Sequence, residues 1–365
     1  MVKTFSFRIK DSTSSKQLNA MARAINFVWN YCNEIQKKAV HDDRRWIHWV
    51  DLNKLTSGCS KELRLHSQTI QAVCERYYAS LKVKPSKGRR KQLLRSRGRR
   101  KRFLRFRGRR SHGWIPFKSS GVKIRNDSII YQGKTFRFWK TRLIPETIKC
   151  GNFSCDARGR WYVNLVCECQ ETIRSKPGNV GIDLGLKSVA TLSTGKKYDA
   201  QRFFRKYERK LSHHQRCNQS RQARSVHAKI SNSRKDFNHK ISHELTRDFN
   251  AVFIGDVDCK NLLQTKLAKS VSDASWGQLR TFTEYKAIAR GGTYYVVDEN
   301  NTTRTCSACG CLTGPTGLTG LRVRDWRCKE CNSSHDRDIN SAVNILRKGL
   351  LVLPSPLRVL SAEDF

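Results

Sequence analysis

Cys306 and Cys309 form one Cys-x-x-C pair, and Cys328 and Cys331 form a second after eighteen intervening residues. Each pair offers two sulfurs from one knuckle, so the spacing fits four thiolates around a single tetrahedral zinc ion of structural type. Gly310, Lys329 and Asn332 in the knuckle turns favour zinc over four core cysteines. Cys311 is left over, and His335 is read as a local hydrogen-bonding residue because four sulfurs already complete the tetrahedron. Directly behind the second knuckle runs His335-Asp336-Arg337-Asp338, followed by an apolar-periodic segment. Acidic groups therefore follow immediately on a metal module, and further carboxylates stand upstream at Asp183, Asp256, Asp298 and Glu299.

The elements that position these carboxylates are short apolar strands. Asn179 to Leu184 reads as a strand bearing Asp183, and Gly185-Leu186-Lys187 turns it into a second strand over Val189 to Leu192 that ends at Thr194-Gly195. Basic helices occupy roughly 200 to 250, with Val226, Ile230, Phe237, Ile241, Leu245 and Phe249 on one face. A strand at Ala251 to Ile254 leads to Gly255-Asp256, and a helix carries Trp276 and Leu279. Another strand, Thr293 to Val297, leads to Asp298-Glu299, and a last helix from Asp338 contains Ala342, Ile345 and Leu346. The order of hairpin, helix, strand, helix, strand, helix is that of an RNase H-like fold. The cysteine module interrupts it before its final helix.

The first half has a different texture. Residues 3 to 9 alternate in strand period, and Leu18, Met21, Ile25, Val28, Cys32 and Ile35 mark one amphipathic helix. Ile70, Val73, Cys74, Tyr77, Tyr78 and Leu81 mark a second, which ends before Pro85. From 114 to 170 the pattern is antiparallel β: residues 121 to 125 alternate, Gln132-Gly133 supports a turn, and Phe136 and Phe138 alternate again. Trp161, Val163, Leu165 and Cys167 share one face, preceded by a turn at Asp156 to Gly159. With the N-terminal strand this predicts a small β-barrel-like domain interrupted by the helices. Trp29, Trp46 and Trp49 are read as packing residues rather than base-stacking ones.

Seventy-two Lys and Arg face thirty Asp and Glu in 365 residues, a formal net charge of +42. Such an excess repels itself unless it meets a polyanion, which points to nucleic acid. Fourteen of these cations, with no acid, fall between Lys87 and Arg110, interleaved with Phe103, Leu104 and Phe106. The arginines Arg89, Arg90, Arg97, Arg99, Arg100, Arg107, Arg109 and Arg110 match phosphate in geometry. The segment is expected to order on nucleic acid and to be poorly ordered without it. No apolar run reaches membrane length and no secretory segment opens the chain, so a soluble, membrane-free protein is expected. The ten cysteines outside the knuckles suit reduced thiols of a cytosolic protein.

Four stretches carry a resemblance: Gly181-Ile182-Asp183-Leu184-Gly185, the segment from Ala268-Lys269-Ser270 to Trp276-Gly277, the cysteines after Thr302-Thr303-Arg304-Thr305, and His335 through Ala342. In this order and spacing the chain resembles TnpB, the OrfB family of insertion-sequence transposons, and is similar to compact type V CRISPR effectors. The resemblance implies an α/β multidomain protein with a split RNase H-like (RuvC) domain, an inserted zinc ribbon, and an N-terminal wedge β-barrel holding a helical recognition lobe. The implied boundaries are 1–10 and 112–175 for the wedge, 11–111 for the lobe with its basic segment 87–110, 176–300 and 336–350 for the RuvC-like domain, 301–335 for the ribbon, and 351–365 for a tail.

The resemblance further implies RNA-guided cleavage of DNA, with three carboxylates holding two Mg²⁺ ions. Asp183 matches the first carboxylate and Asp338 the third, with Asp336 as its substitute. Many relatives place the second, a Glu, at the end of the strand that here reads Phe253-Ile254-Gly255-Asp256. Glu299, at the end of the next strand, is preferred for that role to Asp256. The implied partners are a guide RNA and a target DNA, bound by a monomer or homodimer in a bacterial, nucleoid-associated setting. A nuclease-inactive relative that only binds, or a guide-independent nuclease, would share most of these features.

Overall fold

The computed structural model describes residues 2–10, 12–42, 45–82, 103–108, 111, 113–145, 147–169, 178–320 and 323–353. Contacts within the chain divide it into two units, Met1–Gln170 and Glu171–Phe365.

In the first unit, β1 (Val2–Arg8) leads to the long helix α1 (Ser12–Asp42), then to α2 (Trp49–Leu55), α3 (Ser60–Leu63) and α4 (Ser67–Lys82). Six strands follow: β2 (Trp114–Lys118), β3 (Val122–Arg125), β4 (Ser128–Tyr131), β5 (Lys134–Arg137), β6 (Ile148–Cys155) and β7 (Trp161–Glu168). They form an antiparallel sheet in the order β1-β7-β6-β2 and a smaller sheet β3-β4-β5, and the two meet at a bridge between Ile9 and Phe138. The alternation read from the sequence is the alternation observed. Trp161, Val163, Leu165 and Cys167 are buried together with Phe136, Phe138 and Phe153. The same core takes in Leu18, Ile25, Val28 and Cys32 of α1 and Ile70, Val73, Cys74 and Tyr77 of α4. Burying each such side chain contributes roughly 1.5–3 kcal/mol. The short helices α2 and α3, which carry no long apolar period, were not foreseen.

Residues 103–108, the described part of the basic segment, run along α1. Asn33 donates to the Leu104 carbonyl at 2.9 Å, and Asn30 clasps Arg107 with one bond to its carbonyl (2.9 Å) and one from its amide (2.7 Å). Lys37 lies over Phe106, and Trp46 packs on Phe103. Phe103 and Phe106 of the interleaved apolar residues thus have partners within the protein.

The second unit is built on a five-stranded sheet. Its elements are β8 (Asn179–Asp183), β9 (Ser188–Leu192), β10 (Lys197–Asp199), α5 (Phe203–Arg216), α6 (Ser220–Asp248), β11 (Ala251–Gly255), α7 (Cys259–Leu262), α8 (Ala268–Ala274), α9 (Trp276–Ala289), β12 (Thr293–Val297), α10 (Gly317–Gly320), β13 (Asp325–Arg327), β14 (Ser334–Asp336) and α11 (Arg337–Val352). The strand order is β10-β9-β8-β11-β12, with β8, β11 and β12 mutually parallel and β9 and β10 joined as antiparallel hairpins. The third strand, β10, extends the predicted hairpin by a short edge strand.

Because successive strand residues point to opposite faces, the sheet separates two packings. Val180, Ile182, Val252 and Ile254 join Ile241 and Leu245 of α6 and Leu279 of α9 in one cluster. Ala251, Phe253 and Val297 join Ile345, Leu346 and Leu350 of α11 in another. Gly181 marks the closest approach to α11: a Cβ there would meet the Ala342 carbonyl oxygen at 2.1 Å and the Leu346 nitrogen at 2.5 Å. Gly349 performs the reciprocal service, since its Cβ would lie 2.2 Å from the Phe253 ring.

Candidate active site and metal centre

The two knuckles come together. Ligand atoms of Cys306, Cys309, Cys328 and Cys331 all lie within 4.8 Å of one another. Cys306 Sγ and Cys331 Sγ are 3.7 Å apart, and Cys309 Sγ and Cys328 Sγ 3.6 Å. A tetrahedron with Zn–S bonds of about 2.3 Å has edges of about 3.8 Å, so the sulfurs fit a zinc ion and could hold one. The Thr313 hydroxyl lies 3.1 Å from the Cys328 sulfur. His335 stands beside the quartet as expected, its Nε2 3.0 Å from Cys306 Sγ and its ring against Trp326.

The carboxylates sort by face. Asp183 ends β8 two residues after Gly181, so it shares the side that α11 covers. Gly255 shares that side with Phe253, and the position of a Cβ on Gly255 is filled by the Glu299 side chain. Asp338 lies in the first turn of α11 itself. Three strand or helix ends thus bring Asp183, Glu299 and Asp338 to one edge of the sheet on the α11 side. Burial pushes Asp183 up to about 8, with the nearby Glu299 and Asp338 adding to the rise. Burial likewise pushes Glu299 up to about 7 against the pull of Arg280, and its Oε1 is buried without a hydrogen-bond partner. These carboxyls are an all-oxygen donor set of the kind that suits hard divalent ions, and the Glu299 Oε1 has no hydrogen-bond partner within the protein.

The substitutes fall elsewhere. Asp256 lies just past the end of β11; its side chain is 66% exposed and pairs with Arg280 of α9 at 3.5 Å, and its charge also raises the Glu299 carboxyl. Asp336 is the N-cap of α11, accepting from the amides of Asp338 and Ile339, each at 3.0 Å. Burial opposes its ionisation, but the Lys197 ammonium at 2.6 Å and those amides hold its carboxyl below the usual range.

Several neighbours were not singled out from sequence. Arg324 and Arg337 both reach Asp338, at 3.3 and 3.1 Å. Asn340 and Asn344, one turn apart on α11 and nearly fully buried, each donate to the carbonyls of Thr302 and Thr305. Asn340 also accepts from the Ser307 amide at 2.8 Å, inside the first knuckle. Lys348 donates to the carbonyls of Asp298 and Asn300. The loop between Glu299 and the first knuckle is therefore clipped to α11. The only sequence signal for this is a pair of asparagines at helical spacing on an otherwise apolar face, where each buried amide needs partners.

Of the arginines expected to bind nucleic acid, only Arg107 is described. Its guanidinium stacks 3.7 Å from the Trp29 ring, and burial lowers its pKa. Arg89, Arg90, Arg97, Arg99, Arg100, Arg109 and Arg110 lie outside the described residues. Among the described residues no helix is long and apolar enough to cross a membrane.

Comparison with known proteins adds the following. Residues 164–266 match the OrfB_IS605 family, described as "Probable transposase", and residues 276–345 match the Cas12f1-like TNB domain. The chain is 40% identical over 214 residues to a protein of Streptomyces pristinaespiralis named "Putative RNA-guided DNA endonuclease", covering 54% of this chain and 52% of the relative. It is 26% identical over 266 residues to InsQ of Escherichia coli K12, which carries the same name, covering 64% and 65%. A third relative, Cas12m of Pelobacter propionicus, named a CRISPR-associated DNA-binding protein, is 30% identical over 135 residues, 33% of this chain and 19% of that one. The chain thus spans about half to two thirds of the first two relatives. In fold it is similar to the protein of a Cas12f1-sgRNA-target DNA complex, with a TM-score of 0.55, 12% identity, and coverage of 92% of this chain and 83% of that one. A Cas12f1-like fold, a clustered cysteine quartet and two family matches that together span most of residues 164–345 make this chain similar to the transposon OrfB family and to Cas12f1-like proteins.

Proposed function

We propose that the protein is an RNA-guided, divalent-metal-dependent DNA endonuclease. The observation that carries this is the raised carboxyl of Asp183, with Glu299 and Asp338 near enough to add to the rise, and the Glu299 side chain lying over Gly255. The sheet order and the hairpin–helix–strand sequence support reading the second unit, 176–300 with 336–350, as a split RuvC-type domain around a zinc ribbon at 301–335. The two sheets of the first unit support a wedge barrel at 1–10 and 112–175 holding a helical lobe at 11–111. The names of the relatives, and the sgRNA and target DNA in the Cas12f1 complex, support a guide RNA and a DNA target as partners.

In this reading Asp183, Glu299 and Asp338 would hold two Mg²⁺ ions, which would supply activation of water and stabilisation of the leaving oxygen of the phosphodiester. The chain's own groups do the rest. The Asp336 cap fixes the start of α11 and hence Asp338, Asn340 and Asn344 fix the loop behind Glu299, and Arg324 and Arg337 balance the carboxylate charge until cations and phosphate are present. The four cysteines would hold a structural zinc as thiolates, and its contribution would be to folding. The large positive charge engages the phosphates of guide and target.

The test is cleavage of guide-matched DNA in Mg²⁺ by the wild type and by Asp183→Asn, Glu299→Gln, Asp338→Asn and Asp256→Asn. Loss in the first three with retention in Asp256→Asn is expected. Retained cleavage in Glu299→Gln with loss in Asp256→Asn refutes the assignment. The similarity to Cas12m favours a second reading, RNA-guided binding without cleavage, for which tight guide-dependent binding by an inactive wild type would be decisive.

A further inference from the structure

We propose that Gly255 is a positioning residue for Glu299, required because the Glu299 carboxylate occupies the space a side chain at 255 would need. This rests on the nuclease reading above. A Cβ on Gly255 would lie 1.8 Å from Glu299 Oε1, 2.6 Å from Cδ and 2.7 Å from Cγ. No other reason for a glycine is evident at this position. Its φ is not in the left-handed region, and the three nearest atoms its Cβ would meet all belong to Glu299. A glycine inside a strand otherwise weakens it and often marks a close approach.

The surroundings leave Glu299 a single way to reach the sheet edge. Its carbonyl is bound by the Thr302 amide at 3.1 Å and hydroxyl at 2.8 Å, so its backbone cannot follow the strand. Beneath it, the Gly255 carbonyl is held by Arg280, and the Asp256 amide donates to the Val297 carbonyl at 2.9 Å. The side chain of Glu299 therefore crosses from the end of its own strand to lie on β11. There its carboxylate stands at the end of the strand where the family resemblance places a glutamate. Glycine at 255 and glutamate at 299 form one unit: the first makes room and the second fills it. Any side chain at 255 displaces the end of a flexible glutamate and leaves backbone atoms in place, so the fold survives and the carboxylate is lost from the site.

The experiment uses the full chain with Mg²⁺ alone as probe, following melting temperature against Mg²⁺ concentration, and separately guided cleavage. In Gly255→Ala the metal-free protein melts at or above the wild-type temperature. Its Mg²⁺ midpoint rises by at least about tenfold, the cost typical of losing a group that orients a metal ligand. Glu299→Gln raises the midpoint similarly, and combining the two adds nothing further. A wild-type midpoint in Gly255→Ala alongside a raised one in Glu299→Gln overturns the positioning role and leaves the nuclease reading intact. A wild-type midpoint and full cleavage in Glu299→Gln removes both. If Gly255→Ala melts early, Glu299→Ala in the same chain restores its melting temperature when the clash is with Glu299; failure to restore it overturns the proposal.

Discussion

Replacing Gly181 by alanine probes the seat of α11 directly. The added Cβ would lie 2.1 Å from the Ala342 carbonyl oxygen, 2.5 Å from the Leu346 nitrogen and 2.8 Å from Leu346 Cβ. These are atoms of a helix, with no flexible tip to swing aside, so α11 must back away by about 1 Å to reach ordinary contact. A gap of 0.5–1 Å forfeits a quarter to a half of the dispersion energy across it, and Ala342, Ile345 and Leu346 all lose contacts as the helix withdraws. Overpacking typically costs 1–3 kcal/mol, and a clash with backbone belongs at the upper end, so the loss is about 3 kcal/mol. At roughly 2–4 °C per kcal/mol for a unit of this size, the second unit's melting transition falls by about 6–12 °C. Cleavage falls with it, because Asp338 rides on α11 while Asp183 stays with β8. Scanning calorimetry with a parallel cleavage assay measures both. A Gly181→Ala protein that melts within a degree or so of wild type and cleaves normally would show that α11 is not seated on this glycine.

Three further outcomes are expected. Asp273, 7% exposed, accepts from the Phe204 amide at the start of α5 and from Arg234 at 2.8 Å; Asp273→Ala should cost about 3 kcal/mol, as for breaking a buried ion pair, read as a lower denaturation midpoint at unchanged slope. The folded-state carboxyls of Asp183 and Glu299 are raised from 3.8 to about 8 and from 4.5 to about 7. Without divalent ions the fold thus favours their protonated forms, and stability present near pH 4 is lost as pH rises toward 8, which Mg²⁺ should reverse; a pH series of melts with and without Mg²⁺ decides it. Cys306→Ser, or a strong chelator, should lower the melting temperature of the second unit and leave that of the first unchanged, since zinc contributes folding energy locally; equal loss in both units would contradict a ribbon-confined role.

Much of the site was legible because its parts announce themselves locally. Cys-x-x-C spacing needs no tertiary knowledge, and Asp183 stands out at the end of an apolar strand before a Gly-bearing turn. Choosing between Asp256 and Glu299 is harder, because it turns on where each side chain lies relative to β11 and on the room Gly255 leaves, which Glu299 fills, and neither is a property of residue type. Arg324 meets Asp338 only because β13 and β14 pair across the ribbon, and Asn340 and Asn344 show their purpose only once the Thr302–Thr305 loop lies against them. The strand β10 was missed because three residues cannot display a period. The docking of 103–108 was missed because its binding groups are asparagines on α1, some seventy residues earlier.

The join between β14 and α11 has a thermodynamic corollary. Asp336 ends the strand that returns from the second knuckle, caps the helix, and stands two residues before Asp338, with no linker to absorb a displacement. Asn340 ties the same helix to the first knuckle. Any change in magnesium affinity caused by filling the sulfur site must then appear, at equal size, as a change in zinc affinity caused by filling the carboxylate site. On the reading proposed above, a soft-ligand ion at one end of a short strand and a hard one at the other would be heterotropic effectors of each other.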